Sequence, residues 1–132
     1  MLDMTPEERR NAPEGLRFNA GKNQLNLVPP DALWALGEVF TKGAEKYAAN
    51  NWLKGMDWSK VEGCMMRHLL KYQMGEDRDE ETGCLHMAHV AWNAMAILTY
   101  QLRGIGTDDR QDFPALAVTE AAAKSINFGV PG

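Results

Sequence analysis

The chain has 132 residues, 45% of them hydrophobic and 24% charged, which is material for one core and not for two. A formal net charge of −4 excludes a nucleic-acid binder that works by bulk charge, and no direct nucleic-acid binding is expected. No apolar run approaches the ~20 residues that span a bilayer, so no membrane association is expected, and the N-terminus lacks the basic and apolar regions of a secretory signal.

Residues 1–14 are polar, carry two prolines and follow no helical or strand period, which predicts a flexible leader. From Gly15 to Pro30 a brief alternation is broken by Gly21 and by Pro29-Pro30, and an extended arm laid over the domain is expected. Leu33, Leu36, Val39 and Phe40 then recur at helical spacing, with Trp34 alongside and Asp31 in the first turn, predicting a helix to about Tyr47. After a loop, Ser59 and Glu62 form a capping-box pattern for a second helix. Its apolar side is Val61, Met65, Met66, Leu69, Leu70 and Met74, and Gly75 stops it. Residues 76–83 are acidic and turn-like. Thr82 is placed to cap a third helix, from about Cys84 to Arg103, that is apolar nearly all round and therefore expected to be the central, most buried one. Ala115–Ser125 is rich in helix formers and reads as a fourth short helix or as a tail that orders against a partner.

The pattern is an all-α bundle of three to four helices with an extended N-terminal arm: a helical domain over 15–103 and a C-terminal extension over 104–132. Three helices cover a central one poorly, so a homo-oligomer, dimer or tetramer, is expected. Cys64 and Cys84 make neither a disulfide scaffold nor a CxxC knuckle and are read as reduced thiols.

All three histidines, His68, His86 and His89, fall in one short window, and His86, His89 and Asn93 lie on one face of the third helix. Polar groups on a buried helix need partners. They form either a hydrogen-bonded core network or a site for metal ligation or acid–base chemistry. Residues 76–81 hold five acids and one base, so the net charge of the whole chain sits just before His86, and the remainder is formally neutral. Either this is a solvated loop, or carboxylates beside imidazoles make a site for Mg2+ or Mn2+, with Glu76, Asp77, His86 and His89 as candidate ligands. HxxH without a third histidine or cysteine does not predict zinc. A second set can meet a nucleotide if the fold gathers it: Arg17, Lys22, Lys46 and Arg67 suit phosphate, while Tyr47, Asn51, Trp52 and Asn93 suit base and sugar.

Several short motifs recur together in order. They are Arg17-Phe18-Asn19-Ala20-Gly21-Lys22 with Pro29-Pro30, Gly43-Ala44-Glu45-Lys46-Tyr47 with Asn51-Trp52, Arg67-His68, the run from Gly75 to Gly83, and His86-Met87-Ala88-His89 with Trp92-Asn93. In these the chain resembles, over about residues 15–103, the N-terminal domain of phage-type dATP/dGTP diphosphohydrolases, which are related to the MazG-like all-α nucleotide pyrophosphohydrolases. The resemblance implies metal-dependent hydrolysis of a purine nucleoside triphosphate to monophosphate and pyrophosphate, in the cytoplasm of a phage-infected host. On that reading His68, Glu76 and His89 are the catalytic candidates. MazG-type enzymes hold magnesium with ExxE and ExxD pairs, whereas here Glu38 and Glu45 are seven apart and His86 and His89 stand where the second pair would be. The alternatives are a protein that binds or sequesters a nucleotide without cleaving it, and a helical interaction module whose His and Asn stripe only joins subunits.

Overall fold

The computed structural model describes residues 3–18 and 20–112. Four α-helices form among them: α1 (Pro6–Arg10), α2 (Pro30–Tyr47), α3 (Trp58–Gln73) and α4 (His86–Arg103), with single 3-10 turns at Leu25–Leu27 and Asn51–Lys54. The described residues contain no sheet, only isolated bridges at Asp57–Thr107 and Arg78–Leu85, so the all-α expectation holds. None of the helices is long and apolar enough to cross a membrane. The short helix expected at Ala115–Ser125 lies outside the described residues.

α1 falls where the hydrophobic pattern predicts no element, because its five residues bury nothing and so carry no period. Its signal is the cap. Thr5 Oγ1 accepts from the Glu8 amide and Glu8 Oε2 accepts from the Thr5 amide, both at 3.1 Å, with Pro6 at the first helical position. The arm that follows is exposed along Leu25, Leu27 and Val28.

α2 and α4 run where the periodicity places them. α2 buries Leu36 and Val39, and α4 ends on Gly104 in the left-handed region. α4 lies between α2 and α3 and packs against both. Val39, Cys84 and Ala88 make one apolar cluster, with Ala35 and Trp92 against it. Val61, Ala96 and Tyr100 make another, joined by Trp52, Met56, Trp58, Trp92, Ile97 and Ile105. α4 is central as expected, but only one of its faces is buried: Met87, Met95, Leu98 and Leu102 are exposed in the single chain.

The start of α3 differs from the Ser59–Glu62 capping box. The helix begins at Trp58, two residues before the Lys60 that a Ser59 cap implies, and the Ser59 amide donates to Asp109 Oδ1 at 2.9 Å while its hydroxyl donates to Asp109 Oδ2. A carboxylate arriving from beyond α4 brings a full charge to the N-terminal amides, a stronger acceptor than the helix's own hydroxyl. The same segment is strapped down by Trp58 Nε1 donating to the Ile105 carbonyl (3.0 Å) and the Trp58 amide donating to the Thr107 carbonyl (3.0 Å).

Candidate functional site

The backbone of the acidic turn before α4 is tied down, while Asp77, Glu80 and Glu81 keep exposed side chains. The Asp79 amide donates to the Cys84 carbonyl, the Gly83 amide to the Asp79 carbonyl and the His86 amide to the Asp77 carbonyl, all at 2.8 Å. Arg78 Nη1 adds a 2.8 Å bond to the Gly83 carbonyl. Thr82 does not cap α4, which starts after Leu85. Instead its hydroxyl donates to Asp79 Oδ2 (2.9 Å), its amide donates to the same oxygen (3.0 Å), and its oxygen meets His89 Nε2 at 2.8 Å. Because the hydroxyl proton goes to the carboxylate, the imidazole must donate from Nε2, which leaves Nδ1 of His89 bare.

The three histidines converge from two helices. His68 on α3 stacks on His89 with ring centroids 4.2 Å apart and planes 3° from parallel, and its Nδ1 lies 2.8 Å from Nδ1 of His86. His86 is fully buried, and its Nε2 lies 2.6 Å from Glu76 Oε2. The ligand atoms of His68, Asp79 and His86 all lie within 4.8 Å of one another. Burial, reinforced by the neighbouring His89, lowers the His68 imidazole from its ordinary 6.5 to about 4, and burial also lowers His89. Burial would raise Asp79, but the Thr82 hydroxyl and amide outweigh it and hold the carboxyl below its ordinary value. At neutral pH the floor of the site therefore sets the neutral imidazoles of His68 and His89 beside the ionised carboxylate of Asp79.

Above this floor opens a cleft of about 480 Å³ between the C-terminal half of α2, the Asn51–Lys54 turn, α3 and α4. One wall is aromatic. Trp52 meets Phe40, Trp92 and Tyr100 at centroid distances of 5.7–6.0 Å, and its carbonyl accepts from the Tyr100 hydroxyl at 2.6 Å. At another edge Lys46 Nζ pairs with Glu81 Oε1 at 2.5 Å, which holds the lysine charged.

Of the nucleotide-contact candidates, the fold brings Lys46, Tyr47, Asn51, Trp52 and Asn93 to this cleft, together with His68 and His89. Arg17, Lys22 and Arg67 are exposed and do not line it. Of the candidate metal ligands, Glu76 and His86 sit behind the floor, bonded to each other, and Asp77 is exposed and offers the cluster only its backbone carbonyl. Sequence reasoning missed Asp79 and Thr82 as site residues. The signal was present in the Asp79-x-x-Thr82 spacing, which suits a carboxylate accepting from a nearby amide and hydroxyl in a tight turn.

Among known proteins, the chain is 32% identical over 97 residues to a protein of Salmonella phage PMBT28 named dATP/dGTP diphosphohydrolase. The match takes in 74% of this chain and 33% of that protein, so the chain spans about a third of the relative's length. No solved structure matches it. The family described as dATP/dGTP diphosphohydrolase, N-terminal, matches residues 12–110, a stretch that holds α2, α3 and α4, the histidine cluster and the strap that caps α3. The chain belongs to that family.

Proposed function

We propose that the cleft binds a purine (deoxy)nucleoside triphosphate and that the protein hydrolyses it to the monophosphate and pyrophosphate. The observation that carries this reading is the arrangement of the cleft: an aromatic wall, a cation at its edge and a floor of neutral imidazoles beside one carboxylate. The base lies against the wall formed by Trp52 and Trp92, or on the exposed ring of Tyr47, with Asn51 and Asn93 as hydrogen-bonding partners. Lys46 meets the phosphates, exchanging Glu81 for a more highly charged anion. Water attacks the α-phosphorus, the bond to the bridging oxygen breaks and pyrophosphate leaves. His89 accepts the water's proton at Nδ1, while its Nε2–H stays on Thr82. A divalent cation, Mg2+ or Mn2+ by the resemblance, would polarise the phosphoryl oxygens and acidify the water. The imidazole and carboxylate donors of His68, Asp79 and His86 suit Mn2+ better than Mg2+, which prefers oxygen.

The test is pyrophosphate release from dGTP and dATP in the presence of metal. Activity is expected in the native chain and absent in His89→Ala. If no nucleoside triphosphate is cleaved in any metal, hydrolysis is excluded. Recovery of the intact nucleotide from the protein would then support the second reading, a binding domain whose catalytic partner lies in the part of the longer relative that this chain does not match. We further propose that the working form is a homo-oligomer, which the exposed apolar face of α4 supports, and, by the resemblance to a phage protein, that it acts in the host cytoplasm.

A further inference from the structure

We infer that His68, Asp79 and His86 form a centre for a first-row transition dication (Mn2+, Fe2+, Co2+ or Zn2+), with Glu76 as the group that aims His86 and His89 left outside the set. The inference deepens the reading above by naming the ligands and the class of cation, yet it requires no nucleotide.

The donor set follows from the ring geometry. Imidazole lone pairs lie in the ring plane, so two rings stacked 3° from parallel at 4.2 Å do not aim at one common point. His68 and His89 therefore do not share an ion, and the HxxH pair on α4 is not the ligand pair. His86 is tilted 44° to His68, and their Nδ1 atoms face each other at 2.8 Å, with Asp79 within reach of both.

The protonation pattern is already that of a ligand. The Glu76 carboxylate 2.6 Å from His86 Nε2 requires the proton there, which leaves Nδ1 bare. That carboxylate–imidazole pairing is the outer support a metal-bound histidine uses. In the metal-free protein His68 Nδ1–H donates to this bare nitrogen. When the cation enters, that proton passes to His68 Nε2 and the ring stays neutral.

The two imidazoles are borderline donors, and joined to one carboxylate they favour first-row transition ions over Mg2+, a cation that prefers oxygen and retains its water. α4 supplies one donor, His86, and the other two come from α3 (His68) and the acidic turn (Asp79).

The experiment uses the full chain without a polyhistidine tag, stripped with chelator, in the absence of nucleotide. Mn2+, Co2+, Zn2+ and Mg2+ are titrated by calorimetry, and the Co2+ form is read by visible absorption. One equivalent of each transition ion is expected to bind at least about 100-fold more tightly than Mg2+, with a Co2+ spectrum typical of nitrogen ligation. His68→Gln and Asp79→Asn, each checked for native circular dichroism, should lose the site. Glu76→Gln should weaken it about 10–100-fold, and His89→Gln should leave it intact. Mg2+ binding as tightly as Mn2+, loss of the site in His89→Gln, or stoichiometric binding that survives His68→Gln would each overturn the assignment. Because no nucleotide is present, failure to hydrolyse dGTP and failure to bind metal are read separately.

Discussion

Thr82 is the residue on which the site's geometry turns, since one hydroxyl fixes both the carboxylate of Asp79 and the tautomer of His89. Thr82→Val keeps the shape and removes that link, leaving a partly buried carboxylate and an imidazole N–H short of a partner. A loss of about 1–3 kcal/mol is expected in urea denaturation, with Thr82→Ser close to native. Acid should act on the same residues. An unfolded chain takes up protons on histidine near 6.5, whereas folded His68 refuses one until about 4. The metal-free protein should therefore hold full stability above 6.5 and lose it progressively as pH falls towards 4. Asp79, held below its ordinary 3.8, gives up its share only further down. Urea midpoints measured across this range check the sign, and His68→Gln should flatten the decline. A native midpoint unchanged between pH 7 and about 4.5 would contradict the burial of His68. Which residues carry the chemistry was only partly legible. The stripe of His86, His89 and Asn93 follows from helical spacing, but the contact of His68 with His86 is set by the packing of α3 on α4, which no local pattern encodes. Asp79 looked like one acid among five, because its distinction is a turn and not a composition.

At the scale of elements, α2, α3 and α4 were legible because each buries one face and so repeats with the helical period. The strap over the start of α3 was not, because it joins residues about fifty apart. It rests on a close approach of two glycines. A Cβ on Gly106 would come within 2.3 Å of the Met56 carbonyl oxygen, at a φ of +75° that other residues resist. One on Gly55, at φ +91°, would meet the Gly106 amide at 2.8 Å. Gly104 also has a positive φ, +64°, but only open space beside it. Gly106→Ala should accordingly cost about 3 kcal/mol or more, and Gly104→Ala about 1 kcal/mol. Equal effects would mean that the strap is not held by this contact. Asp109→Ala removes the carboxylate that caps α3 and should cost about 1 kcal/mol.

For the whole molecule, the acidic charge and the apolar surface have opposite fates. Three of the five acids of the acidic turn have partners within the chain: Glu76 with His86 and Lys71, Asp79 with Thr82, Glu81 with Lys46. The apolar face of α4 has no such engagement. Met87, Met95, Leu98 and Leu102 share it, with Ala91 and Ala94 between them, and Leu102 is 78% exposed. Burying a Leu or Met side chain gains roughly 1.5–3 kcal/mol, so four of them on each of two chains would supply several kcal/mol towards association. A second copy of the same chain suits this face because an apolar helix face is complementary to itself across a two-fold axis. Light scattering of the native protein should therefore return a multiple of 14.7 kDa. Leu98→Glu combined with Leu102→Glu should return the single-chain mass with the helix content unchanged. A native protein that is monomeric at high micromolar concentration would show that the face is covered by something other than its own copy.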